Sequence, residues 1–356
     1  SFYDKDFKEW PVTNRNWVVP KYPNGADLNE MYLDKTIIND EWEKDKQTYD
    51  YSSSKNVAYA VQTQTQQAVL DMILKSVEMT GNKNVVLTGG YGLNCVANYY
   101  FLNELNKHGI KLYAEPISND AGTALGAAYW AYYMATGNVD NVTQTLYLGP
   151  SYCHTNDEID SLAKKYNAEI KEDVTDNDVI DLITNKNIVT IFQGRCENGP
   201  RALGNRSILY DPTDPKGKDH VNTVKRREYF RPFAGTILKE DVHEWFDLRG
   251  MEDTPYMMYA VDCQPGVEEK IPSIIHVDGT CRIQTITEEQ NPNYYKLIKT
   301  FKERTGCPII FNTSFNLGGE PLVETLDDGF RTLANSDIEY MYLPEYNKLV
   351  YINNKK

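Results

Sequence analysis

Apolar residues recur at helical spacing from Asn56 to Met79 (NVAYAVQTQTQQAVLDMILKSVEM), which predicts one long amphipathic helix. The pattern then changes period. The β-branched run Val85–Leu87 predicts a strand, the Gly89-Gly90 pair a tight turn, and Asn94–Leu105 a following helix. Lys111–Ala114 predicts a second strand, and after Asp120 a small-residue helix runs over Ala121–Ala135. Helix, strand, turn, helix, strand, turn, helix is the order of a doubly wound α/β unit. In such a unit the glycine turn between strand and helix presents backbone N–H groups to a phosphate or nucleotide.

Residues 1–55 mix Asp, Asn, Lys, Pro and Tyr with little periodicity, which predicts an irregular linking segment. A boundary is expected near Leu148-Gly149-Pro150-Ser151, dividing an α/β region over 56–150 from a second region over 151–356. The second region opens with a helix from the TNDEID segment and then alternates less regularly. Ile188–Phe192 and Pro308–Asn312 predict strands, each ending in a polar loop, while Val221–Arg227 and Ser336–Met341 carry mixed signals. This pattern predicts an α+β region.

Charge narrows the partners. With 37 basic and 51 acidic side chains the net charge is −14, which argues against broad nucleic-acid or acidic-membrane binding. No run of about 18 apolar residues predicts a membrane span. The first residues, SFYDKDFKEWPVTNRNW, contain no apolar core of a secretion signal, so a cytoplasmic location is expected. The six cysteines form no CxxC pair and no zinc-ligand spacing, and are expected to be free thiols. The chain does not begin with Met, so processing or an absent upstream part is expected.

The most concentrated candidate chemistry lies in GRCENGPRALGNRSILYDP (194–212) and KRREYFRPFA (225–234). Of Arg195, Arg201, Arg206, Lys216, Lys218, Lys225, Arg226, Arg227 and Arg231, several sit beside Gly, Pro or Asn rather than on a helical stripe. Arginine forks hold phosphate or carboxylate in bidentate fashion and lysine adds a point charge, so an anion site is expected. The alternative is a solvated basic face. In FNTSFNLGGEP (311–321), Thr313, Ser314 and Asn316 offer hydrogen-bonding groups after a strand, either to a ligand or as an Asx or ST turn capping a helix. TGGYGLN and NDAGTALG are a pair of glycine turns, with ordinary turn geometry and an N-cap role for Asp120 as the alternatives.

These segments carry a family resemblance. LTGGYGLNCVAN, SNDAGTALGAA, GRCENGPRALGNRSIL, VKRREYFRPFA, GTCRIQT and FNTSFNLGGEPLVETLDDG resemble, in order, the signature elements of the NodU/CmcH/TobZ-type O-carbamoyltransferases. One departure is Gly235, where the family usually has Pro. The resemblance implies the C-terminal half of an actin/Hsp70-type (Kae1-like) ATPase domain followed by an α+β YrdC-like domain. It implies ATP-dependent formation of carbamoyl-adenylate from carbamoyl phosphate, and passage of the carbamoyl group to a hydroxyl of a sugar, antibiotic or nucleoside.

Carried over by motif, Arg201, Lys225, Arg227 and Arg282 would be catalytic, holding phosphate groups. Asn205, Arg206, Ser314 and Asn316 would bind carbamoyl phosphate or nucleotide; Gly89, Gly90 and Asn94 would contact nucleotide; Asp120 would ligate a divalent metal (Fe, Mg or Mn). The family's metal histidines have no counterpart pair here. His108, His154, His220, His243 and His276 include no i, i+4 pair, so those ligands are expected from a separate N-terminal chain or an absent part, with loss of the transfer site as the alternative. Two other readings stay open: threonylcarbamoyl-AMP or hydrogenase-maturation carbamoyl chemistry, and a non-catalytic nucleotide-binding subunit.

Overall fold

In a computed structural model of the chain, residues 18–20, 26–28, 52–139 and 145–353 are described. The linking segment expected over 1–55 therefore lies mostly outside the described residues. Within it, β1 (Val18–Pro20) pairs antiparallel with β2 (Ala26–Leu28). Helix α1 (Ser52–Thr80) begins ahead of the first periodic residue, Asn56. Packing divides the chain into two compact bodies, Ser1–Asn82 and Lys83–Lys356.

In the second body, β3 (Asn84–Leu87) and β4 (Lys111–Ala114) pair in parallel, as a strand–helix–strand crossover requires. Helix α2 (Cys95–Asn106) connects them, its N-terminus capped by the Asn94 side chain, which accepts from the Ala97 N–H at 3.1 Å. Helix α3 (Ala121–Thr136) follows β4 and buries none of its side chains; Trp130 and Met134 stand exposed.

Buried Asn98 of α2 donates to the Gly92 carbonyl at 2.7 Å and to the Met258 carbonyl at 2.9 Å. Tyr99 donates to the Asp247 carbonyl at 2.7 Å, and the Arg249 guanidinium lies 3.7 Å over its ring. Helix α2 thus makes hydrogen bonds to residues beyond the boundary expected near 150.

The remainder of that body is built on one mixed sheet. Helices α4 (Asn156–Lys165) and α5 (Asp176–Thr184) flank strand β5 (Glu169–Lys171). Strands β6 (Val189–Phe192) and β7 (Arg206–Tyr210) precede helix α6 (Gly217–Val224). Then come β8 (Ala234–Leu238), β9 (Phe246–Asp247), β10 (Ala260–Cys263), β11 (Thr280–Ile286), helix α7 (Pro292–Thr305) and β12 (Ile309–Ser314). Helix α8 (Leu326–Ala334), β13 (Tyr340–Leu343) and β14 (Lys348–Tyr351) close the chain.

Among the described residues the strand order is β5-β14-β13-β6-β7-β12-β8-β11-β10-β9. Only β13–β6 and β8–β11 run parallel; the other neighbours are antiparallel. Every residue of β6, β7 and β8 is buried, so these strands are covered on both faces and show no alternation in sequence. That is why RSILY and AGTIL gave no strand signal by period. Helices α4, α5 and α8 each start at a threonine whose side chain accepts from the third helical residue, an acid that bonds back to the threonine. The α+β expectation for this region holds, with the sheet wider than the sequence suggested.

Candidate functional site

The nine basic residues counted from sequence separate into two kinds. Arg195 donates to the carbonyls of Gly149 and Leu148, exposed Arg226 to the Asn335 carbonyl, and exposed Arg231 pairs with Glu228 at 2.7 Å. Lys216 is exposed and Lys218 half-buried. Arg201 and Arg227 instead come near Arg282, which β11 brings between Ala234 and Ala260, and Lys225 comes near Arg227. Part of the segment is thus a solvated basic face, and part is not.

Lys225 caps the C-terminus of α6 and is buried. Its ammonium donates to the Ser314 carbonyl and, at 3.1 Å, to Asn316 Oδ1, while Ser314 Oγ donates to Asn316 Oδ1 at 2.6 Å. The polar loop after β12 is thus a cradle for a lysine and not a helix cap. Burial and the Arg227 charge hold the Lys225 ammonium well below the usual lysine range.

Arg227 is fixed by an unanticipated residue. Its Nε donates to Asn222 Oδ1 at 3.2 Å, and its guanidinium sits 4.7 Å over the Phe233 ring. Burial, Arg231 and Arg282 lower it to about 10. Burial and then Arg282 likewise lower Arg201 to about 10. Arg201 Nη2 donates to the Leu93 carbonyl at 3.1 Å, while the Nε atoms of Arg201 and Arg282 are buried with no partner. Among the described residues, none of Arg201, Lys225, Arg227 and Arg282 is held in an ion pair; the nearby Glu228 is engaged by Arg231. Four cationic side chains gathered without an acid paired to any of them offer donors suited to an anion.

Two further expected residues go elsewhere. Arg206 is fully buried, stacks 3.6 Å over the Phe192 ring, and donates to the carbonyls of Gln193, Asn205, Gly194 and Glu324. Asn205 donates to the Arg195 carbonyl at 2.7 Å and accepts from Asn291 at 2.8 Å. Both are committed to holding their own loop together, and neither joins the four cations.

Behind Arg201 lies a support that sequence reasoning missed. Glu197 Oε1 accepts from the N–H groups of Leu203, Asn205 and Arg206 at 2.6, 2.9 and 3.3 Å. Gln284 donates to the Leu203 carbonyl at 3.0 Å and Asn312 to the Ala202 carbonyl at 3.1 Å. Gly204 has φ +110, and a Cβ there would lie 2.1 Å from Tyr294 Cδ1. At Gly235, the departure from the family pattern, a Cβ would lie 2.6 Å from Ile309 Cδ1, so this core is packed for glycine. His276 flanks Arg282, its ring nitrogens 3.1 Å from Thr280 Oγ1 and 3.2 Å from the Phe233 carbonyl.

The glycine turns meet at a second place. Gly89, Gly90 and Asp120 line a hollow of about 630 Å³ with Thr88, Glu115 and Ser118. Gly89 has φ +86, and space for a Cβ is open at both Gly89 and Gly90. Asp120 stands at the N-cap position of α3, with no side-chain bond to the helix, and lines the hollow. Asn94 contributes as the cap of α2. Among the described residues no three His, Cys, Asp or Glu side chains come together as a metal-ligand group, so the residues here do not by themselves fit a metal at Asp120. Nor is any described helix long and apolar enough to cross a membrane.

Comparison with known proteins completes the description. A family profile described as carbamoyltransferase C-terminus matches residues 180–348, and one described as carbamoyltransferase N-terminus matches residues 26–129. Nodulation protein NolNO of Sinorhizobium fredii is 34% identical over 300 residues, 82% of this chain and 43% of that protein. Nodulation protein NolO of Bradyrhizobium diazoefficiens is 33% identical over 297 residues, 80% of this chain and 53% of that protein. The chain thus spans about half the length of the curated relatives it matches. A crystal structure of full-length HypF in a phosphate- and nucleotide-bound form overlaps 52% of this chain and 22% of its own, at 14% identity and a TM-score of 0.34, too distant to establish a shared fold.

Proposed function

The chain belongs to the carbamoyltransferase family, and on that premise we propose that its second body takes carbamoyl phosphate and ATP and makes carbamoyl-adenylate. The observation that carries this reading is the row Lys225, Arg227, Arg282 and Arg201, which carries no ion pair among the described residues. Both substrates are anions, and a fixed set of donors, Lys225 buried and the three arginines half-buried, is what brings them together against their mutual repulsion.

Balance assigns the steps. Water cleaves carbamoyl phosphate to carbamate and inorganic phosphate. A carbamate oxygen then attacks the α-phosphorus of ATP and pyrophosphate leaves. A hydroxyl of the acceptor (a sugar, antibiotic or nucleoside) finally attacks the carbonyl of the mixed anhydride, and AMP leaves. Arg201, Arg227 and Arg282 would take the charge that develops on phosphate oxygens, and Lys225, held by Ser314 and Asn316, would add a donor at a set position. In this reading 151–356 is the YrdC-like part and 56–150 the C-terminal part of a Kae1-like domain, with nucleotide contacts at Gly89 and Gly90. A divalent metal at Asp120 would need ligands beyond those described, a role for a separate N-terminal chain, and no step above is routed through it.

Carbamoyl-phosphate-dependent release of pyrophosphate from ATP by the 356-residue chain tests the reading. Release is expected, with loss on Arg201→Ala or Lys225→Ala. ATP binding without turnover would turn it toward a non-catalytic nucleotide-binding subunit, and binding of neither substrate would sink it.

A further inference from the structure

One imidazole stands beside the row of cations, within reach of the Arg282 charge. His276 lies in the turn that leads into β11. Its backbone N–H donates to the Thr280 carbonyl at 2.8 Å, and its own carbonyl accepts from the Gly279 N–H at 3.0 Å. Gly279, at φ +82, permits this turn, so the ring is carried on a fixed frame. In the parallel pair that follows, Arg282 of β11 is set beside Ala234 of β8, the residue after Phe233. The His276 ring bridges the entry of these two strands: Nδ1 lies 3.1 Å from Thr280 Oγ1 and Nε2 3.2 Å from the Phe233 carbonyl.

Both partners ask the ring for a proton. The Phe233 carbonyl can only accept. The Thr280 hydroxyl spends its own proton on Asp278 Oδ1 at 2.7 Å, which leaves lone pairs toward His276. A neutral imidazole has one N–H and one lone pair, so it satisfies one of these acceptors and opposes the other, whereas an imidazolium satisfies both. The hydrogen bonds therefore favour the charged ring. The surroundings oppose it: burial and the Arg282 charge hold the pKa down at about 4, with Lys218 of α6 adding to them and Asp278 of the turn working against them.

Resting on the anion site proposed above, we infer that His276 gains a proton as an anion settles on the row, so that the anion and a solvent proton bind together. An anion beside Arg282 offsets the charge that keeps the imidazole neutral, and the two waiting acceptors then hold the imidazolium. Protonation makes the bonds to Thr280 and to the Phe233 carbonyl at once. The Phe233 ring is the face on which the Arg227 guanidinium rests at 4.7 Å. His276 is thus a positioning residue, acting on Arg227 through Phe233.

Sulfate is the probe, because it stays a dianion in this range and brings no proton of its own. Calorimetric titration of the full chain with sulfate, in buffers of different ionisation heat, reads the protons taken up per sulfate bound. Wild-type protein should take up protons near about pH 5.5, between the pKa of the empty site and the ordinary histidine value of 6.5. Its sulfate affinity should rise as pH falls through that window, approaching about tenfold per pH unit at full uptake. His276→Gln should lose the uptake and flatten the rise. Asp278 is exposed, so Asp278→Asn should keep the fold and move the uptake to lower pH, which carries the test if the His276 variant does not fold. Uptake of undiminished size in His276→Gln, or at an unshifted pH in Asp278→Asn, assigns the proton to another group and overturns the inference. Sulfate binding without uptake by the wild type also overturns it, while the anion site stands. If the wild type binds no sulfate at any pH, the anion site fails and the inference with it.

Discussion

Arg201 Nη2 donates to the carbonyl of Leu93 at 3.1 Å, so an arginine of the GPRALGNRS segment holds the end of the GGYGLN turn. The two segments lie far apart in sequence, and this bond joins a candidate phosphate donor to the turn that lines up Gly89 and Gly90. Close packing reinforces it: a Cβ on Gly199 would lie 2.7 Å from Ile117 Cγ2, and Ile117 lines the hollow beside Asp120.

The double duty of Arg201 gives the first prediction. Arg201→Lys keeps a charge but loses the planar fork, so phosphate affinity should fall at least about tenfold. Loss of the Leu93 bond should also quicken amide exchange over residues 92–98. Hydrogen exchange on the variant checks this; unchanged protection there would mean the bond does not restrain the turn.

Arg206 and Lys225 should separate stability from function. Replacing Arg206 by Met strips donors from the carbonyls of Gln193, Gly194 and Glu324 in a fully buried place, and should cost about 3 kcal/mol. Lys225→Met removes a buried cation that burial already disfavours, and should change stability by no more than about 1 kcal/mol while abolishing phosphate binding. Urea unfolding of both variants measures the difference. A Lys225 variant as destabilised as the Arg206 variant would mark the lysine as structural.

Glu197 is the third case. Its carboxylate gathers three N–H groups of the loop that aims Arg201, so Glu197→Ala leaves buried donors unpaired and should cost about 2 kcal/mol. Phosphate affinity should fall as well, since Arg201 would lose its fixed backbone. Retained affinity at reduced stability would confine Glu197 to folding.

These cases show how much was legible in advance. The motif spacing singled out Arg201, Lys225, Arg227, Arg282, Ser314 and Asn316 as candidates, and the contact of Lys225 with Ser314 and Asn316 brings three of them together. Arg206 was grouped with them because a linear motif does not state which way a side chain turns. It opens a fully buried strand and stacks on Phe192, so its charge faces carbonyls. Glu197 stands inside the GRCENGPRALGNRSIL element but was not singled out, because its partners are backbone amides; Asn222 meets Arg227 and backbone carbonyls only through the fold. Strands β7 and β8 were hidden for a related reason: burial on both faces removes alternation. The supports from Gln284 and Asn312 depend on strand order, which pairs β12 with both β7 and β8 and is not written in local pattern.

The last prediction concerns pH. His276 lies in the same surroundings as Arg282, and burial first, then the Arg282 charge, lower its pKa from 6.5 to about 4. The folded protein therefore holds His276 neutral across a range in which the unfolded chain takes up a proton. Because the unfolded state binds more protons there, stability should fall as pH drops through 6.5 toward 4. A shift of this size corresponds to about 3 kcal/mol when fully expressed. Asp278 opposes the shift and Lys218 adds to it, so neither reverses the sign. His276→Gln removes the titration while keeping a polar group beside Thr280 and the Phe233 carbonyl. Urea midpoints measured at several pH values below neutrality should slope less steeply in the variant than in the wild type. Parallel slopes would assign the acid sensitivity to other groups and leave His276 without a part in it.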